Sequence, residues 1–198
     1  MNTEIIIHPK LQHYGLITAN LDAMIEWYRK VLGMTINHRS VVSASAQNRA
    51  PFSAMAFVSN DEVNHRIVFF EMHRAVESDR RQGPLQHVAF EYETFDDLLG
   101  SYARLKHLGI QPVWAADHGV GTAFYYEDPD RNIVELNVNN YGNEWTATEH
   151  LKTSPPMLAQ VDPDKMLAAR KAGASPGELH KRASVGELAP ATPHHPRA

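Results

Sequence analysis

The chain has 198 residues, room for one ample domain or two small halves that share a core. With 43% hydrophobic and 21% charged residues it has the composition of a globular protein, and a net charge of −4 without a basic run argues against a general nucleic-acid binder. The absence of cysteine excludes disulfides, thiolate metal sites and a cysteine nucleophile. The opening MNTEIIIHPK has too short an apolar run for a signal peptide, and no apolar stretch approaches a membrane span. A cytoplasmic protein with no membrane partner is therefore expected. Of the twelve histidines, His194 and His195 fall in a Pro-rich tail and are expected to be solvated.

Taken in order, residues 11–18 read as a strand, and Asn20 or Asp22 can cap a helix over 23–32 whose Met24, Trp27, Tyr28 and Val31 fall at helical spacing. Gly33 is a natural stop for it. Strands are predicted at 34–42, 53–59 and 65–72, with Asn60-Asp61-Glu62 as the turn between the last two. The scheme then recurs. Leu11-Gln12-His13 returns 74 residues later as Leu85-Gln86-His87, and at the same offset Asp22 meets Asp96 and Tyr28 meets Tyr102. The second copy predicts a strand at 85–91 and a helix over 97–108 capped by Thr94 or Asp96 and ended by Gly109. Strands at 110–114, 122–126 and 133–138 complete it. Each copy is thus β-α-β-β-β, and a unit of this kind leaves one sheet face to be covered, so two should pair over a shared interior.

The expected organisation is an N-terminal arm (1–10), a first βαβββ module (11–73), a linker (74–84), a second module (85–140), a C-terminal helical extension (141–189) and a disordered tail (190–198). Pro155-Pro156 marks a break. Asp162-Pro163 opens a helix over 164–172, which Gly173 ends, and Ser175-Pro176-Gly177-Glu178 is a capping box for a short helix through 183. The extension could cover a flank of the fold or a partner subunit. The fold class is α+β: two paired modules forming a curled mixed sheet around a cavity, plus the helical appendage.

The stretch 118–137, HGVGTAFYYEDPDRNIVELN, organises the rest. A tight turn, Glu127-Asp128-Pro129-Asp130-Arg131-Asn132, joins two strands. Glu135 sits between Val134 and Leu136 in a strand whose composition says buried. Either it faces water, or it needs a cation, a metal or several donors. The repeat puts His13 and His87 at equivalent points of first strands, and the last strand of the second copy can close beside its first. Alone, either histidine could be a core residue bonded to backbone. Together with Glu135, two imidazoles and one carboxylate with open positions make the ligand set of a non-haem Fe(II) oxygenase site. Alternation puts His65, Ile67, Phe69 and Glu71 on one face, a polar entry on an apolar wall.

At these residues the chain resembles the vicinal oxygen chelate superfamily, and within it the small one-domain type I extradiol ring-cleavage dioxygenases. The family signature runs from a His through an apolar-Tyr pair and an acidic-Pro pair to the metal-binding Glu. Here these are His118, Phe124-Tyr125, Asp128-Pro129 and Glu135, with Arg131 where the family usually has Gly. The resemblance implies His13, His87 and Glu135 as iron ligands and His65 as the acid–base histidine. It also implies that His118 and Tyr125 bond the substrate's oxygens. Implied with them are Fe(II), with Mn(II) possible, a catecholic substrate, O2 and association into a homo-oligomer. His65 could instead be a surface histidine and Tyr125 a core aromatic. His38, His73, His107, His150 and His180 show no partner pattern and are read as surface residues. Two other functions fit the same scaffold. One is a glyoxalase-like isomerase or lyase with Glu71 as a fourth ligand. The other is a metal-free protein that sequesters aromatic drugs.

Overall fold

The computed structural model describes residues 10–43, 52–72, 85–153 and 158–193. Residues 1–9, the linker 74–84, His73, the Pro155-Pro156 break, and His194 and His195 lie outside the described residues. The chain divides into two units, 1–78 and 79–198, each described by itself.

The first unit contains β1 (Tyr14–Thr18), α1 (Leu21–Leu32), β2 (Thr35–Val41), β3 (Phe52–Ser59) and β4 (Ile67–Met72). Its sheet runs β1-β4-β3-β2, with β1 parallel to β4 and the other pairs antiparallel. The helix starts two residues before the predicted point because Asn20, not Asp22, is the cap: its side chain accepts from Ala23 N. Asp22 is free to bridge Arg39. Gly33 at φ 67 ends the helix in the left-handed region, where a Cβ would be strained. The helix lays Leu21, Met24, Tyr28 and Val31 inward, all about 1% exposed or less. Tyr28 packs edge-on against Phe69 of β4. Small Ala54 and Ala56 on β3 lie on the same buried layer. Each such side chain buried contributes roughly 1.5–3 kcal/mol.

This packing corrects one expectation. Ile67 and Phe69 do not form an entry wall for His65. They are fully buried, and Phe69 meets the helix. The other face of the sheet carries Gly15, Val68 and Phe70: a Cβ on Gly15 would meet Val68 and Phe70 at 3.5 and 3.7 Å.

The second unit contains β5 (Val88–Tyr92), α2 (Phe95–His107), β6 (Trp114–Asp117), β7 (Gly121–Glu127) and β8 (Ile133–Asn139), followed by α3 (Glu144–Thr153), β9 (Ala159–Gln160), α4 (Pro163–Lys171) and α5 (Pro176–Ser184). Its sheet runs β5-β8-β7-β6-β9, again with the first pair parallel. Thr94 caps α2 by accepting from Asp97 N, while Asp96 is engaged by Arg170 of α4 at 2.7 Å. Leu98, Leu99, Tyr102 and Leu105 are buried as expected. Residues 110–113 are not strand: the chain stays irregular after Gly109 (φ 76), and pairing starts at Trp114, opposite Tyr125.

Both first strands begin later than the sequence suggests. His13 and His87 each stand one residue ahead of the ladder, where the side chain is not confined by strand pairing. The C-terminal extension is more than helices. Strand β9 adds a fifth member to the second sheet through Ala116↔Gln160 and Asp117↔Ala159. The capping box forms as predicted, with Ser175 accepting from Glu178 N and Glu178 accepting from Ser175 N. The extension therefore covers a flank of its own unit. Among the described residues, no helix is long and apolar enough to cross a membrane.

Candidate active site

The alternation of β8 resolves the oddity of Glu135. Val134, Leu136 and Val138 share one buried face, 1–2% exposed. Glu135 points the other way and is itself only 8% exposed. Its ladder partners are Ala89 on β5 and Tyr125 on β7. Ala89 is small, so the carboxylate can reach past it to His87, two residues earlier on the same face. His87 Nε2 stands 2.9 Å from Glu135 Oε2. The other oxygen accepts from Asn137 Nδ2 at 2.9 Å.

The repeated Gln-His dipeptide has a physical role. His87 Nδ1 meets Gln86 Oε1, and His13 Nδ1 meets Gln12 Oε1 in the same way. An amide oxygen only accepts, so each Nδ1 carries the proton. For His87 that leaves Nε2 with a lone pair aimed at a carboxylate oxygen. Two lone pairs at 2.9 Å require a cation between them, either a proton or a metal ion. An imidazole and a carboxylate on a cavity wall are ligand types that divalent first-row metals accept.

The cavity is about 620 Å³, the size of a small-molecule site. His87, His118, Tyr125 and Glu135 line one side, and Ala147 and Leu151 of α3 line another. His118 Nε2 and Tyr125 Oη are 2.8 Å apart. Burial pushes the His118 imidazole below its ordinary pKa, against the smaller opposing pull of Glu135 and Asp117, so it is neutral at pH 7. Burial, then the Glu135 charge, pushes the Tyr125 phenol well above its ordinary value, so it stays a hydrogen-bond donor.

The first unit holds the remaining two predicted residues side by side. The His13 and His65 rings lie 4.4 Å apart, and His65 stacks on Phe57 at 4.5 Å. His65 Nδ1 donates to Asn64 Oδ1 at 2.7 Å, which leaves Nε2 as the basic atom. Gln12 ties the group together by donating to Asn64 Oδ1 and to the His65 carbonyl. Burial, and next the neighbouring His13, lower the His65 pKa, which keeps it neutral. Glu71 does not join them. Its carboxylate accepts from Leu21 N at the start of α1 and from Ser53 Oγ. The residue in the register of Glu135 is Val68, which faces Gly15 as Glu135 faces Ala89. Among the described residues, no group of three or more His, Cys, Asp or Glu is placed to hold a metal ion.

Sequence reasoning missed Asp117 and His180. Asp117 is fully buried at the end of β6, and His180 Nδ1 of α5 stands 2.8 Å from its Oδ2. His180 is therefore not a surface histidine without a partner. An acid closing an apolar strand just before His118-Gly119 was the available signal. His38 and His107 are exposed as expected, and His150 packs on Tyr141.

The turn before Glu135 is built by Asp128, whose carboxylate accepts from Asp130 N, Asn132 N and Asn132 Nδ2. Arg131 sits at φ 68, the left-handed conformation that glycine favours, which explains why the related motif uses Gly there.

A family model described as the Glyoxalase/Bleomycin resistance protein/Dioxygenase superfamily matches residues 10–136. The chain belongs to this superfamily. Biphenyl-2,3-diol 1,2-dioxygenase 3 of Rhodococcus globerulus is 32% identical over 183 residues, 89% of this chain and 90% of that protein. Biphenyl-2,3-diol 1,2-dioxygenase 2 of the same organism is 30% identical over 192 residues, 94% of each. Among solved structures, Leishmania major glyoxalase I overlaps 73% of this chain and 97% of its own with a TM-score of 0.54 at 16% identity. A glyoxylase/bleomycin resistance protein/dioxygenase domain from Frankia overlaps 67% of this chain and 99% of its own with a TM-score of 0.53 at 20% identity. These structural likenesses speak for the α+β fold.

Proposed function

We propose that the chain is an extradiol dioxygenase that opens the ring of a catecholic substrate with O2. A divalent iron, or manganese in its place, would be held by His13, His87 and Glu135. The observation that carries this reading is the His87–Glu135 pair, 2.9 Å apart on the wall of a cavity that also holds His118 and Tyr125. The two dioxygenase relatives support the class, and their names point to a diol on an aromatic ring. The fold alone would serve an isomerase equally. The fourth carboxylate that such a reading needs is, however, occupied at the start of α1.

When bound, the metal would hold both vicinal oxygens of the catechol and stabilise their deprotonated form. The protein's own groups do the rest. His65, neutral with its proton on Nδ1, takes a hydroxyl proton at Nε2 and returns it later as an acid. Tyr125 Oη and His118 Nε2 supply hydrogen bonds that fix the substrate's oxygens and orient the ring. Gln12 and Gln86 fix the tautomer of the two ligand histidines. The apolar flank given by Val120, Ala147 and Leu151 receives the rest of the substrate and excludes water.

The test is anaerobic reconstitution with Fe(II), Mn(II) or buffer alone, then air and a panel of one-ring and two-ring catechols. The expected result is a yellow ring-opened product with one O2 consumed per catechol in a metal-loaded sample only. A protein that binds an aromatic diol tightly, retains no metal and consumes no O2 would overturn the reading in favour of sequestration.

A further inference from the structure

We propose that His180 is a positioning residue for the loop that carries His118. From α5, its Nδ1 holds Asp117, and Asp117 sets the turn that aims the His118 ring at Tyr125. The inference rests on the reading of His118 as a group that bonds the substrate.

Asp117 is 0% exposed, so its carboxylate depends entirely on protein donors. Three N–H donors converge on it, and the Thr122 hydroxyl, which donates to Asn140 Oδ1 at 2.9 Å, lies beside them. Gly119 N and Asn140 Nδ2 reach Oδ1 at 2.7 and 3.1 Å. His180 Nδ1 and Thr122 Oγ1 reach Oδ2 at 2.8 and 3.3 Å. The Gly119 bond closes the turn around His118, and Gly119 at φ 86 takes the left-handed conformation this needs. Backbone bonds hold the far end of the 117–121 loop, His118 N donating to Gly121 O at 2.8 Å and Asn140 N to Val120 O at 2.9 Å, while Asn140 Nδ2 donates to Gly119 O at 3.0 Å. The His118 ring reaches Tyr125 from that loop.

His180 is held from outside the loop. The capping box at Ser175 and Glu178 fixes the start of α5, and Leu179 and Ala183 on either side of His180 are fully buried. The helix cannot turn the imidazole away without exposing both. Removal of the imidazole strips Asp117 Oδ2 of its nearest donor, because the proton of Thr122 Oγ1 is spent on Asn140 Oδ1. A buried carboxylate that loses a donor rotates toward those that remain, which loosens the turn. His180 also lies beyond residue 136, where the superfamily match ends. The C-terminal extension thereby contributes to the site from outside the shared fold.

The test compares His180→Ala and His180→Asn in the full chain. The Asn amide nitrogen can occupy the place of Nδ1, so it keeps the donor and loses the ring. With Fe(II) and a catechol, His180→Ala should lower kcat about tenfold while KM and metal content stay unchanged. His180→Asn should recover to within about twofold of the wild type. A second readout does not depend on turnover: nitrogen NMR of the histidine-labelled protein without metal. The His118 Nε2 signal should shift in His180→Ala and return in His180→Asn. Wild-type kcat together with an unchanged His118 signal in the Ala variant would overturn the proposal. So would an Asn variant that folds but remains as slow and as shifted as the Ala variant. If the wild type opens no catechol, the dioxygenase reading falls by itself, and the NMR comparison still decides the role of His180.

Discussion

The two units are built on the same plan, and their differences locate the chemistry. Both present a Gln-His pair just ahead of a first strand, with the imidazole's Nδ1 turned toward the glutamine. Duplication thus supplies two similar imidazoles. On the last strand the symmetry breaks. The second unit has Glu135 opposite Ala89, and the first has Val68 opposite Gly15. The first unit instead keeps a second histidine, His65, bonded to Asn64 and stacked on Phe57. One unit therefore carries the anionic group and the other a neutral base.

The comparison can be broken most severely at the histidine of the second unit. His87→Ala should abolish metal retention and cut ring cleavage by at least about a thousandfold, read by metal analysis and O2 uptake. His65→Ala should separate the two units' roles, keeping metal while slowing turnover about a hundredfold. Normal turnover in that variant would show that His65 is not the acid–base group.

Restoring the symmetry is a sharper probe. Val68→Glu would bury a carboxylate near His13 in the first unit, costing roughly 3 kcal/mol in metal-free protein. Added metal should recover the melting temperature, while ring cleavage should fall as a coordination position is lost. A variant that metal leaves just as unstable would argue against His13 and Val68 as counterparts of His87 and Glu135.

A smaller effect separates the units by pH. Asp117 raises the His180 pKa above its ordinary value. The stabilisation is therefore full below the unfolded value of about 6.5 and is lost as the pH rises through the folded value. The gap in melting temperature between wild type and His180→Asn should be widest in mild acid and should close in alkali. The smallest change is Arg131→Gly, which removes a side chain from a left-handed position and should raise stability by about 1 kcal/mol or less in a denaturant titration.

Much of the plan was legible in the sequence because local chemistry and tertiary fold agree. Gly33 and Gly109 end their helices, the Asp128 turn forms, and Glu135 is buried against donors as its apolar neighbours suggested. The Gln-His repeat was visible, but its purpose was not, since it depends on a side chain turning back on its own neighbour. Helix α3 falls inside the expected helical extension but had no bounds of its own, because Ala147 is its one buried residue and no apolar stripe marks it. Its signal was Asn143, which accepts from Thr146 N as a cap. The Asp117–His180 pair spans 63 residues, and nothing local links the two. Glu71 looked like a fourth ligand because strand identity alone was known. Strand register decides the matter, and it puts Val68 at that point.

The central claim is that His87 and Glu135 face one another in order to share a cation. Anaerobic Fe(II) titration of the wild type and Glu135→Gln, followed by calorimetry and metal analysis, tests it most directly. The account predicts one tightly held ion per wild-type chain and no retained ion in Glu135→Gln. Equal metal retention by the two proteins, or none by the wild type, would contradict it.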